Sequence, residues 1–174
     1  QQVLPHMRRR GGGTIVNISS LAGLVPAAGQ AAYASSKWAL EGLSETLALE
    51  VARFGIRVAI VEPGVVKTPI LSKYTMPAAT TGEYEDIYQR SMSFYLEGAT
   101  EASGPDEVAL TVLEAATTDS PRLRWTCGWG VDFNLRARES LGADGLLQQF
   151  ATLDDAEFRR LLGEFGEPEA DVDV

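Results

Sequence analysis

Two side chains that could transfer a proton, Tyr33 and Lys37, lie four residues apart in a stretch with helical spacing. Residues four apart on a helix share a face. A lysine ammonium beside a phenol favours the phenolate, which makes tyrosine a usable general acid or base near neutral pH. Tyr33 is the only one of the five tyrosines followed by lysine at the fourth position. Such pairs also arise by chance on helix surfaces, so the surrounding sequence decides their meaning.

Two short apolar runs end at residues that could complete a site. Thr14–Ser19 is β-branched and bounded by glycine, which predicts a buried parallel strand ending at Ser20. The second run, Ile56–Val61, leads to Pro63-Gly64, where the backbone could approach a flat ring closely. In open α/β sheets, ligands bind beyond the carboxyl ends of the strands. Both loops therefore lie where a site is expected, and the Ser20 hydroxyl could hydrogen-bond a substrate oxygen.

The order of the patterns predicts an α/β fold with a parallel sheet. The longest helical pattern, residues 31–54, carries an apolar stripe that we expect to face the sheet. The stripe consists of Tyr33, Leu40, Leu43, Leu47, Val51 and Phe54. The other predicted elements are a helix ending near residue 10, a helix near Tyr84–Tyr95, a helix from Pro105 to about Thr117, a strand at Leu123–Cys127, and helical structure after it.

Three arginines and three glycines follow the first helical pattern. Cations in a last turn complement the helix dipole, and glycine supplies a left-handed cap, so Arg8–Arg10 and Gly11–Gly13 indicate a helix end. The alternative is that the arginines form a nucleic-acid or targeting patch. The glycines do not predict a phosphate loop, because such a loop leads from a strand into a helix and here the order is reversed.

Three motifs together resemble the short-chain dehydrogenase/reductase family in order and spacing: NISSLAG at Asn17–Gly23, YASSK at Tyr33–Lys37, and PGVVKT at Pro63–Thr68. The helix and strand around the second motif are similar to the branch that contains 17β-hydroxysteroid and retinol dehydrogenases and their bacterial relatives. The resemblance is strong over about residues 1–70 and loose beyond them.

The resemblance implies reversible hydride transfer between NAD or NADP and a ketone or secondary alcohol. It implies that Tyr33 donates or accepts the proton, that Lys37 stabilises the phenolate and holds the nicotinamide ribose hydroxyls, and that Ser20 orients the substrate oxygen. The residues that it places along the nicotinamide end are Pro63, Gly64, Val66 and Thr68. It further implies an apolar substrate, such as a steroid, retinoid or lipid-like ketone, and a homo-oligomeric full-length parent.

The sequence departs from the family pattern at its beginning. The glycine-rich dinucleotide loop, the residue that selects NAD or NADP, and the asparagine of the family's tetrad do not occur in it. Position 1 is not methionine. We therefore expect the C-terminal part of a doubly wound, Rossmann-like parallel-sheet fold, with the N-terminal dinucleotide-binding half absent.

The expected organisation is a single partial domain, 1–174. Its predicted parts are a catalytic half at 1–70, a substrate lid at 65–104, a last helix, strand and helical region at 105–153, and an acidic C-terminal tail at 154–174. The lid segment is rich in aromatic residues, which could line a substrate pocket or merely pack a mobile subdomain. These residues are Tyr74, Tyr84, Tyr88, Phe94 and Tyr95.

Three hypotheses about the chain remain open at this point. It is a segment of a complete dehydrogenase, a truncated and catalytically inert product, or a non-catalytic binding or assembly module that kept the fold. Rival chemistries lack their residues. The only histidine, His6, lies in a helix end without a nucleophile-elbow motif, and no clustered histidines and cysteines predict a metal site.

Composition narrows the partners and the compartment. The formal net charge of -9 disfavours nucleic acid as a partner, because phosphate backbones repel acidic proteins. A single cysteine, Cys127, rules out an intrachain disulfide and fits a reducing compartment, so we predict a cytoplasmic location. The lone thiol in an apolar run is interpreted as a small buried hydrophobe. No apolar run is long enough to span a membrane, and no signal peptide is recognised.

Overall fold

Three parallel strands form the sheet of the computed structural model, which describes residues 2–71, 82–152, 156, 157 and 160. The strands are β1 (Gly13–Ile18), β2 (Ile56–Pro63) and β3 (Arg124–Cys127), in the spatial order β1-β2-β3. The register pairs Gly13 with Ile56 in the first ladder and Ile60 with Arg124 in the second. The predicted α/β fold with a parallel sheet is confirmed.

Five helices precede, connect and follow these strands in the described residues. They are α1 (Leu4–Arg10), α2 (Ala31–Val51), α3 (Glu85–Glu101), α4 (Pro105–Thr117) and α5 (Val131–Thr152), and short 3₁₀ turns lie at Leu21–Gly23 and Ala52–Phe54. Each predicted helix is confirmed, although α3 continues beyond its predicted end. The sequence signals for the ends are also confirmed, because Gly11 caps α1 with a φ of 76° and Pro105 begins α4.

The chain divides into two compact units, Gln1–Trp129 and Gly130–Val174. The first unit contains the whole sheet. Within the second, α5 bends at Gly142, whose φ of 66° interrupts the helix. Tyr74 lies outside the described residues, as does most of the acidic tail at 154–174.

Alternation along β2 explains where the core lies. Ala59 and Val61 face α4 and pack with Ala115, whereas Ile56 and Val58 face α2 and pack with Val51. Successive side chains of a strand point to opposite faces of the sheet, so a strand that is covered on both faces reads as a continuous apolar run. Helices on both faces bury the central strand, while its two neighbours form the sheet edges.

Two expectations about burial were wrong. β1 is only partly buried, and Ile18 is 44% exposed, because β1 pairs with β2 alone among the described strands. The expected apolar stripe of α2 is buried only in part: Val51 is 5% exposed and Leu47 packs against the same core, but Leu43 is 61% exposed. Glu41 and Ser44 are buried in the middle of the helix instead. Towards its carboxyl end the sheet presents polar groups to α2, such as the Asn17 amide, which donates to the Ser44 hydroxyl over 2.8 Å. A polar helix face matches that surface better than leucine does.

No helix in the described part of the chain combines the length and apolar character needed to cross a membrane. Within the same residues, no group of three or more histidine, cysteine or acidic side chains is arranged to hold a metal ion.

Candidate active site

The first turns of α2 present Tyr33 and Lys37 on one face, as their spacing predicts. The Lys37 Nζ lies 5.6 Å from the centroid of the Tyr33 ring, and the Tyr33 side chain is 46% exposed. Within the described part of the chain the Tyr33 hydroxyl has no hydrogen-bond partner. The phenol is therefore open to a substrate, with a cation beside its ring.

A main-chain contact fixes Lys37. Its Nζ donates a hydrogen bond of 3.1 Å to the Ile18 carbonyl, at the last residue of β1. This bond holds the charged end of Lys37 over the carboxyl end of the sheet. Sequence reasoning missed the Ile18 acceptor, because every residue carries a carbonyl and no residue type marks one that will be used.

Ser20 lies between the carboxyl ends of β1 and β2. Its hydroxyl accepts a hydrogen bond from the Ala22 N–H over 3.2 Å, which caps the 3₁₀ turn Leu21–Gly23, hereafter the Ser20 turn. The same hydroxyl donates to the Pro63 carbonyl over 3.5 Å. Just before it, the Ser19 N–H donates to the Val61 carbonyl over 2.7 Å and continues the ladder between the strands. Ser20 is thereby placed against the residue that begins the predicted nicotinamide segment.

The segment after β2 is held by its backbone. The Gly64 N–H donates to the Cys127 carbonyl over 2.8 Å, Val65 forms an isolated bridge with Trp129, and the Lys67 N–H donates to the Ser103 carbonyl over 2.9 Å. The amides of Val65 and Lys67 are thus both used inside the protein. Within the described part of the chain, the Val66 N–H between them has no hydrogen-bond acceptor.

Gly98 of α3 packs against this segment with no space for a side chain. A Cβ there would lie 2.8 Å from a ring carbon of Trp129 and 2.9 Å from Cβ of Val65. Because overpacking a tight contact typically costs about 1–3 kcal/mol, we expect Gly98→Ala to lower the free energy of unfolding by about that amount. Chemical denaturation of both proteins measures the change. Gly42→Ala is the control, since a Cβ at Gly42 meets nothing within 4 Å and alanine favours helix. Equal losses in the two variants would contradict the packing argument.

Helix α3, which lies in the segment 65–104 predicted to form a lid, approaches the start of α2. The Gln30 side-chain amide donates to the Tyr95 hydroxyl, which joins α3 to the residue that precedes α2. On the same helix the Phe94 ring centroid lies 4.9 Å from that of Trp129. Phe94 and Tyr95, two aromatic residues of the segment predicted to form a lid, therefore pack in the same unit as Tyr33. Sequence reasoning did not single out Gln30.

Sequence reasoning also missed three charged residues that meet where α2 packs on the sheet. Glu62 is fully buried on β2, Glu41 of α2 is 5% exposed, and Arg124 of β3 contacts both carboxyl groups. Burial first, and the neighbouring Glu41 charge second, raise the pKa of Glu62 to about 8 against the opposing effect of Arg124. The available signal was a glutamate inside an otherwise apolar strand run, two residues before Gly64.

Comparison with known proteins gives consistent results. A family model described as short chain dehydrogenase matches residues 1–78. The uncharacterized oxidoreductase YusZ of Bacillus subtilis (strain 168) is 38% identical over 141 residues, which are 78% of this chain and 50% of that protein. The 17-beta-hydroxysteroid dehydrogenase type 1 of Mus musculus is 35% identical over 130 residues, 72% of this chain and 38% of that protein.

Solved structures agree with the sequence relatives. A short-chain dehydrogenase from Streptomyces avermitilis superposes with a TM-score of 0.63 and 34% identity, covering 90% of this chain and 54% of that one. An NAD+-bound xylitol dehydrogenase superposes with a TM-score of 0.61 and 25% identity, covering 74% of this chain and 52% of that one.

The chain spans about half the length, or less, of these relatives. The part that it spans contains the parallel sheet, the Ser20 turn and the Tyr33–Lys37 helix. With those elements in place and with matching relatives in sequence and in structure, the chain belongs to the short-chain dehydrogenase/reductase family.

Proposed function

We propose that the protein is an NAD(P)-dependent oxidoreductase that interconverts a secondary alcohol and a ketone, with Tyr33 as the general acid or base. The observation that carries this proposal is the convergence at the carboxyl edge of the sheet. Lys37 bridges from the Tyr33 ring to the Ile18 carbonyl, and Ser20 bridges from the end of β1 to Pro63. This is the edge at which ligands bind in open α/β folds.

Three side chains take part in the proposed reaction. The Tyr33 hydroxyl gives a proton to the carbonyl oxygen in reduction and removes it from the alcohol in oxidation. The Lys37 ammonium stabilises the phenolate formed when the proton leaves. The Ser20 hydroxyl donates a hydrogen bond to the substrate oxygen and so turns the reacting carbon towards the nicotinamide. The bound cofactor supplies or accepts the hydride.

The described residues fit the nicotinamide end of such a cofactor. Pro63 ends β2 and Gly64 follows it, and the Val66 amide has no hydrogen-bond acceptor among the described residues. That arrangement leaves a main-chain donor for the carboxamide and a hydroxyl, Thr68, two residues further along. Lys37 would hold the ribose hydroxyls. The NAD+-bound xylitol dehydrogenase among the structural relatives supports a nicotinamide dinucleotide and does not separate NAD from NADP.

The proposed lid, residues 65–104, would set the substrate class. Support comes from the bond between Gln30 and Tyr95, which ties α3 to a residue three positions before Tyr33. Phe94 and Trp129 extend the apolar surface of that region. An apolar ketone or alcohol is the proposed substrate class, in line with the 17-beta-hydroxysteroid dehydrogenase among the relatives.

The proposal is tested with the native gene product that contains this chain. NADH or NADPH oxidation is followed by absorbance with a panel of apolar and polar ketones, and the reverse reaction with the matching alcohols. Turnover that prefers apolar ketones is expected. Cofactor binding without any turnover would favour a non-catalytic module, and loss of both would favour an inert fragment.

Lys37→Ala should weaken both catalysis and cofactor binding. The ammonium serves the Tyr33 phenolate and the ribose hydroxyls, so turnover should fall at least about tenfold, since a hydrogen bond to a charged group contributes about 1.5–3 kcal/mol. Steady-state kinetics and calorimetric titration with the cofactor measure the two effects. Arg10→Ala, which removes an exposed cation from α1, is the control and should change neither quantity. Unchanged cofactor affinity in Lys37→Ala would remove the ribose role.

A further inference from the structure

Three glutamates converge on one arginine beneath α2. The Arg124 guanidinium lies 3.1 Å from an oxygen of Glu41, 2.7 Å from one of Glu45 and 3.0 Å from one of Glu62. Glu62 is fully buried and Glu41 is 5% exposed, while the Glu45 side chain is half exposed. If all three carboxyl groups were ionised, the single positive charge of Arg124 would face three negative charges. Two of these, on Glu41 and Glu62, are shielded from water. Burial of unbalanced charge is strongly unfavourable, so the cluster favours holding a proton.

The hydrogen bonds of the cluster show where that proton fits. Among the described residues, no donor is aligned with either oxygen of Glu62 or with Oε1 of Glu41. Arg124 Nε is close to Glu62 Oε1, yet its N–H does not point at the oxygen as a hydrogen bond requires. The Glu62 carboxyl group lies within hydrogen-bonding reach of the Glu41 carboxyl group, so the oxygens without a donor are acceptors facing acceptors. A single proton between them converts one into a donor and satisfies both.

The Glu41 side chain lies directly against the Ser20 turn. A Cβ added to Gly23 would meet Cγ and Oε1 of Glu41 at 3.1 and 3.2 Å, and Oγ of Ser19 at 2.8 Å. Ser19 is 3% exposed, and its hydroxyl also has no hydrogen-bond partner in the described chain. Glu41 thus touches the turn that Ser20 caps and lies on the helix that carries Tyr33 and Lys37, while Glu62 lies on the strand that ends at Pro63.

We propose that Glu41 and Glu62 share one proton and act as positioning residues, holding α2, the Ser20 turn and β2 in the arrangement that aligns Tyr33 with Ser20. The positioning role of Glu41 and Glu62 rests on the proposed function, whereas their sharing of a proton is independent of it. Loss of the proton leaves two buried anions facing each other beside Gly23. Their repulsion would separate α2 from β2 and displace the Ser20 turn, with no change in the catalytic side chains themselves.

The surroundings set the direction of the pH dependence. The charged and titratable groups that act on Glu62 are Glu41 from α2, with Arg122, Arg124 and Cys127 from β3 and the residues just before it. Glu45 contacts Arg124. Burial is the largest cause that raises the Glu62 pKa from 4.5 to about 8. The folded state therefore binds a proton that the unfolded state releases between these values. Stability is greatest below the unfolded pKa and falls as pH rises towards the folded one.

Thermal and chemical unfolding of the native protein between pH 5 and 9 tests the shared proton. Over that window the unfolding equilibrium constant of the wild type should rise by up to about tenfold per pH unit, the limit for one proton. Glu62→Gln keeps the size and a donor for Glu41 but cannot ionise, so this rise should be lost. Glu45→Gln is the matched control on the same arginine and should keep it. A rise of equal slope in Glu62→Gln would overturn the shared proton.

A second variant and a spectroscopic measurement keep the test decisive if Glu62→Gln folds poorly. Glu41→Gln should remove the same pH dependence. Infrared difference spectra between pH 6 and 9 should show a protonated-carboxyl band in the wild type that both glutamine variants lack. Its presence in both variants, or its absence from the wild type, would overturn the proposal.

Turnover separates positioning from simple stabilisation. In Glu62→Gln, kcat should match that of the wild type at pH 6 and exceed it at pH 9, with KM for the cofactor unchanged. Identical profiles would refute the positioning role. Tyr33→Phe should leave the pH dependence of unfolding intact, so failure of the proposed reaction and failure of the shared proton give different results.

Discussion

Tyr33→Phe should lower turnover by about 10²–10⁴-fold in the native protein, the range in which general acid–base groups contribute. Phenylalanine keeps the ring against which Lys37 lies, at 5.6 Å from its centroid, and removes only the proton-transferring hydroxyl. Because that hydroxyl has no partner in the described chain, its loss leaves no buried group unsatisfied. Stability and cofactor affinity should therefore stay close to those of the wild type.

Steady-state kinetics in both directions, calorimetric titration with the cofactor, and thermal unfolding measure the three quantities together. Tyr84→Phe is the matched control. It makes the same chemical change at a tyrosine that is 73% exposed at the start of α3. Its turnover should equal that of the wild type. Turnover of Tyr33→Phe within threefold of the wild type would remove Tyr33 from the mechanism.

The second large effect concerns the 174-residue chain studied by itself. It should self-associate, because β1 has a partner on one edge only among the described strands, and an open apolar edge is a template for pairing with another chain. Ile18 at the end of that strand is 44% exposed, and Leu43 and Leu49 of α2 are 61% and 83% exposed. At about 25 cal/mol per Å², covering a few hundred Å² of such surface is worth several kcal/mol, comparable with the whole stability of a domain.

The same chain should bind NAD and NADP weakly. It contains the proposed nicotinamide end, whereas no glycine-rich loop leads from a strand into a helix N-terminus to hold the pyrophosphate. We expect dissociation constants well above the micromolar range for both cofactors, measured by calorimetric titration. Tight binding by the isolated chain would require a second dinucleotide site within these residues.

Size-exclusion chromatography with light scattering measures the self-association. Ile18→Lys places a charge on the open edge and should shift the chain towards monomer, since charged side chains block edge pairing. Arg10→Lys, an exposed and charge-preserving change on α1, should leave the oligomer distribution unaltered. A monodisperse monomer for the unmodified chain would show that the β1 edge and the exposed leucines do not drive association.

The sequence by itself determined the elements and the residues on their ends. Hydrophobic periodicity and the glycine and proline residues that interrupt it are local properties of the sequence. The helix that presents Tyr33 and Lys37, the strand end near Ser20 and the turn at Pro63-Gly64 could therefore all be predicted. The end of α1 at Gly11 follows from the backbone freedom of glycine, and the start of α4 at Pro105 follows from the missing N–H of proline. Each of these properties depends on one residue. Three motifs of this kind also carried the family resemblance that the comparisons confirmed.

Only the tertiary structure decided which polar groups are buried and what they contact. Sequence reasoning assigned no role to Glu41 or Glu62, yet Arg124, more than sixty residues after Glu62, contacts both and brings them into one cluster. The prediction that Leu43 faces the sheet was wrong for the same reason, because the sheet surface under that part of α2 is partly polar. Burial and ion pairing depend on residues that are distant in the chain, and a local pattern carries no information about which of them will meet.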